Sequence, residues 1–118
     1  MLQTHQINFE ESIALQNFTY SEIAKYSISI LMGRPINTIK VEENKNNTFK
    51  VWYIRKSDSK LFEYKIKFEG FNIIWGSLDG RWRETPDDEK LKFLEVGNTL
   101  KITQTYSDGS ENTKEFKK

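Results

Sequence analysis

Leu61-Phe62-Glu63-Tyr64-Lys65-Ile66-Lys67-Phe68-Glu69 alternates apolar and charged residues without a break from Phe62 onward. A period of two is that of a β-strand, whose successive side chains point to opposite faces. Phe62, Tyr64, Ile66 and Phe68 therefore share one face, and Glu63, Lys65, Lys67 and Glu69 share the other. Burial of the apolar set contributes roughly 6 to 12 kcal/mol at about 1.5 to 3 for each side chain, an upper bound that lost chain entropy largely offsets. The rest of the chain has to cover that face.

Around this strand the pattern stays that of strands. Residues 48–56, rich in β-branched and aromatic side chains, precede it across the turn Ser57-Asp58-Ser59-Lys60, and residues 36–42 form an earlier strand ahead of the polar turn 43–47. Gly70 ends the central strand and residues 71–78 form the next. Further on, 91–96 and 99–106 flank Gly97-Asn98, a loop of the kind that closes tight hairpins. Ser107-Asp108-Gly109-Ser110 then leads into a short edge strand at 113–116. Such short connections make neighbouring strands antiparallel.

The cover comes from upstream. Thr19 with Glu22 forms a capping-box pattern, and after it Tyr20, Ile23, Ala24, Ser27, Ile30 and Leu31 share one side of a helix, with Glu22, Lys25 and Ser29 on the other. Gly33-Arg34-Pro35 ends it, since glycine suits a left-handed cap and proline cannot continue the ladder. The helical spacing of Ile13, Ala14, Asn17 and Phe18 predicts a second, short helix over residues 9–17. The fold class is α+β: one main helix on an antiparallel meander of six or seven strands, curling towards a half-barrel, with residues 1–118 as a single domain.

Composition excludes several functions. The chain of 118 residues has a formal charge of +1, which argues against a domain built to coat nucleic acid. Lys50, Lys56, Lys60, Lys65 and Lys67 do surround Trp52 and Tyr53, but Glu63 and Glu69 interrupt the patch. With no cysteine, neither a disulfide framework nor a thiolate metal site can form. His5 is the only histidine and sits in a polar terminus, a poor place for a general base. No phosphate-cradling glycine loop, calcium-loop ladder or membrane-spanning stretch is present, so no cofactor or metal is expected. The first residues lack the pattern of a secretory leader, and the expected setting is soluble and cytoplasmic.

Two groups of residues remain as candidates for contact with a ligand or partner. In the long loop 76–90, Arg81 and Arg83 flank Trp82, so an extended backbone sends both guanidinium groups to one side and the indole to the other. That pair suits a carboxylate or phosphate; the bland alternative has Trp82 plugging the end of the core while Asp79, Glu84, Asp87 or Asp88 neutralises the arginines. Asp87-Asp88-Glu89 itself reads as an exposed acidic turn or the first turn of a short helix after Pro86. The second group is Trp52, Ile54 and Ile74, which fall on the face opposite the helix. A sheet apolar on both sides needs a second cover. The expected function is therefore a non-enzymatic interaction module meeting another protein or its own copy through that face; the alternative is a small-ligand pocket between helix and curved sheet, with room for weak catalysis by Arg81, Arg83 and nearby acids.

Overall fold

The computed structural model describes residues 13–118. Helix α1 (Tyr20–Met32) opens with the capping box that Thr19 and Glu22 encode: the Glu22 N–H donates to Thr19 Oγ1 at 3.1 Å and the Thr19 N–H to the Glu22 carboxylate at 2.9 Å. At the other end Gly33, at φ 63°, takes the left-handed conformation that glycine adopts without steric cost, and its N–H and that of Arg34 both reach the Ser29 carbonyl. Ile23, Ala24, Ser27 and Ile28 are buried. The hydroxyl of Ser27 donates to the Ile23 carbonyl at 2.7 Å, so a polar side chain sits in the apolar stripe without an unmet donor.

Seven strands form one sheet in chain order, each antiparallel to the next. They are β1 (Lys40–Glu43), β2 (Thr48–Arg55), β3 (Lys60–Glu69), β4 (Asn72–Ser77), β5 (Lys90–Val96), β6 (Thr99–Thr105) and β7 (Glu111–Lys117). The sheet curls into a half-barrel around the helix-covered face. Phe49 and Val51 of β2, Tyr64 and Ile66 of β3, Ile73 of β4, Phe93 of β5 and Ile102 of β6 all point into that core. The residues between them point out, where charge pairs keep them solvated: Lys50 meets Glu63 across β2 and β3 at 3.0 Å, and Lys67 meets Glu69 along β3 at 3.6 Å.

Two expected elements are replaced by something tighter. Residues 13–17 carry no helix; the rest of that expected helix lies outside the described residues. The Glu95 carboxylate accepts the N–H groups of Gln16, Asn17 and Phe18 at 2.9, 2.7 and 2.9 Å, and so takes donors that a helix would have bonded within itself. These bonds hold its pKa below the ordinary glutamate value. Ile36–Thr38 is likewise a 3₁₀ turn and not the start of a strand, because the Thr38 N–H turns back to the Pro35 carbonyl at 3.0 Å. Strand β1 begins only at Lys40.

The sheet also has a seam. Strands β4 and β5 share just the pairs Asn72↔Lys92 and Ile73↔Leu91 before they part. Beyond that point the Arg83 N–H donates to the Trp75 carbonyl at 2.8 Å, so the loop stands in for the missing neighbour.

Candidate functional site

The loop between β4 and β5 folds back across the outer face. Its backbone passes so close that a Cβ on Gly76 would lie 2.4 Å from the Arg81 carbonyl oxygen, which leaves glycine as the residue that fits. Trp82 then lies over the charged side of β3, with Lys65 Nζ 4.5 Å and Lys67 Nζ 4.6 Å from the ring centre. Lys65 Nζ also donates to the Gly80 carbonyl. The indole thus covers outer-face lysines and does not plug the end of the core.

On the opposite side of this extended stretch, both arginines converge on one carboxylate. Arg81 makes a two-pronged contact with Asp88 at 2.9 and 3.0 Å, and Arg83 Nη2 lies 3.3 Å from Asp88 Oδ1. The Thr85 N–H and hydroxyl add donors at 3.1 and 2.8 Å. Asp88 is buried, in contrast to the exposed acidic turn expected there, and the run 86–89 forms a turn without a helix. The Arg81 bonds, with those of Thr85, hold the Asp88 carboxyl far below the usual range. Arg83 also stacks over the Trp75 ring at 4.9 Å, where its Nε and the Trp75 Nε1 are buried without a hydrogen-bond partner among the described residues. The anion these guanidinium groups are shaped for is already supplied by the chain.

A second place remains open. Where Arg34-Pro35 leaves the helix and swings wide of β2, a half-open groove of about 610 Å³ forms at the corner of the sheet. Arg34, Asn37, Thr38 and Lys40 line one side, and Trp52, Tyr53, Ile54 and Lys56 of β2 and its turn line the other. Arg34 stacks over Tyr53 at 5.0 Å. The lining holds three cations and no acid. Among the described residues none of Arg34, Lys40 and Lys56 makes a salt bridge. Ile54 is 58% exposed, and Leu61, directly across from it on β3, is 48% exposed.

The candidate residues thus fall into separate groups. Trp52 and Ile54 meet at the groove, and Arg81, Trp82 and Arg83 meet in the loop. Ile74 does not line the groove: it stands opposite Lys67, which lies under Trp82, whereas Trp52 stands opposite Glu63. Arg34, Lys40 and Thr38 emerge as groove residues that the alternation pattern did not single out. The signal for them was Arg34-Pro35, read only as a helix stop. No group of His, Asp or Glu among the described residues is arranged to hold a metal ion. No helix there is long and apolar enough to cross a membrane.

No family model, curated protein or solved structure matches this chain.

Proposed function

We propose that this chain is a binding module without catalytic machinery, which engages another protein through the groove at the open corner of its sheet. One observation carries the reading: Arg34, Lys40 and Lys56 gather around Trp52, Tyr53 and Ile54 with no acid in the lining. Charges of one sign left beside exposed apolar groups are what an acidic, partly apolar partner complements. The groups with shifted acidity give no support to acid–base chemistry. Asp88 is committed to Arg81 and Thr85, and burial, with Tyr53 next to it, pushes the Tyr64 hydroxyl up and away from the range useful at neutral pH.

The groove volume favours a second reading, a small aromatic anion seated on Trp52 and Tyr53, since sites for such ligands span about 300 to 1,000 Å³. Self-association through the exposed Ile54 and Leu61 is the like-with-like form of the first reading. Amide chemical-shift mapping separates these cases. Acidic peptides should move the resonances of Lys40, Trp52 and Ile54 while basic peptides leave them in place. Shifts produced only by small aromatic acids would favour the second reading. Shifts confined to the region of Trp82, or none at all, would overturn the groove as the site.

A further inference from the structure

We infer that the groove takes its partner as an added β-strand: an extended, acidic segment of another polypeptide that pairs with the backbone of Ile54. The inference rests on the groove reading above and names the form of the ligand. In an antiparallel ladder, alternate residues bond to alternate sides. The Asn44 N–H donates to the Thr48 carbonyl at 2.7 Å, so Thr48 bonds towards β1, and with it Lys50, Trp52 and Ile54. Trp52 meets Lys40, the first residue of β1. Ile54 is the next rung, and the residue that would face it is Thr38.

Thr38 is turned away. Both its N–H and its hydroxyl donate to the Pro35 carbonyl, at 3.0 and 2.7 Å. Among the described residues the N–H and C=O of Ile54 therefore form an unpaired rung at the sheet corner, beside the groove, under a side chain 58% exposed. An open strand edge is a template for another chain. The groove supplies the room that a strand needs.

The surrounding side chains say which chain fits. A residue placed opposite Ile54 projects on the outer face beside Trp52, which suits an apolar side chain. Its neighbours in sequence project towards Tyr53, over which Arg34 lies. Lys40 comes before the rung and Lys56 after it. Acids flanking one apolar residue would project towards Arg34, and the two lysines add positive charge at either end of the rung. A nucleic acid could use the cations and the rings but would leave the backbone rung unpaired, which favours a polypeptide. A second copy is a poorer match, because the other free edge of the sheet, β7, mixes Lys114 and Lys117 with Glu111 and Glu115.

The test uses the full chain and a short peptide in which a central valine is flanked by glutamates. Paired in this way, the valine N–H reaches the Ile54 carbonyl while the N–H of an adjacent glutamate points away. Methylating the valine nitrogen should weaken binding about fivefold or more, and methylating the glutamate nitrogen should change it by less than about twofold. A lysine version of the peptide should not bind. Peptide binding should also slow hydrogen exchange at the Ile54 amide. Equal affinities for the two methylated peptides, with shifts still in the groove, would overturn strand addition and leave the groove reading standing. No shift in the groove with any peptide would remove both. An Ile54 amide already protected in the free protein, together with dimeric sedimentation, would assign the rung to a second copy and overturn the inference.

Discussion

Two cationic clusters in this protein end differently. Arg81 and Arg83 share the buried Asp88, which lies a few residues along the same loop. Arg34, Lys40 and Lys56 share a groove with no acid in it. The first cluster has its countercharge built in, so its energetics belong to the fold. The second keeps positive charge and aromatic surface together in water, an arrangement that contributes little to folding and is available to a partner. Presence of arginine and lysine beside tryptophan is common to both. What separates a structural cluster from a candidate site is whether the chain itself closes the charge.

The contrast can be broken experimentally, and the largest effect should come from the loop. Gly76→Ala places a methyl group against the Arg81 carbonyl, where the ideal separation is only 2.4 Å. The backbone has to shift, with an expected cost of about 1 to 3 kcal/mol in urea unfolding. A loss as small as that of an exposed substitution would mean that the loop rests only loosely on the outer face.

Asp88→Asn should sharpen the comparison through pH. The folded protein holds this carboxyl below its unfolded value of about 3.9, so its contribution is present above that pH and is lost as pH falls towards the folded value. The urea midpoint of the wild type should therefore fall on acidification below about pH 4, while the variant, weaker at neutral pH, gives a flatter curve over the same window. Parallel curves for the two proteins would show that the Arg81–Asp88 pair does not support the fold.

The smallest effect on stability belongs to the groove. Lys40→Glu combined with Lys56→Glu alters exposed side chains without salt-bridge partners among the described residues, and unfolding should change by less than about 0.5 kcal/mol. The same variant should lose affinity for the acidic peptide by about tenfold or more. A large loss of stability would move this cluster into the same category as Arg81 and Arg83.

Much of the architecture was legible because it depends on local rules. The alternation of residues 61–69 gave the faces of β3, and Thr19 with Glu22 placed the start of α1. Residues 13–17 misled because their helical spacing is local while the Glu95 carboxylate that captures their N–H groups is 79 positions from Gln16. Ile36 to Glu42 misled for a nearer reason, since the Pro35 carbonyl draws the chain into a tight turn before β1 can form. In the loop, the projection of Arg81 and Arg83 to one side was legible from their spacing. Which of the clustered acids would be buried was not, because that depends on where β5 parts from β4. The groove depends in the same way on the residue at which β1 begins, a matter of a rung that residue patterns do not encode.

The parting of β4 from β5 also bears on how the chain could vary in length. Connections between adjacent strands are ordinarily where insertions and deletions are absorbed most freely. Residues 78–89 are a wedge instead: Arg83 occupies the hydrogen-bonding position beside Trp75 that β5 would otherwise fill, and Asp88 ties the far side of the wedge to its near side. Cutting the wedge short would let β5 slide into continuous pairing along β4, closing the seam and altering the curl of the sheet. An insertion at the exposed Asp108-Gly109 turn would disturb none of this, since that turn joins β6 and β7, which stay in register along their whole length.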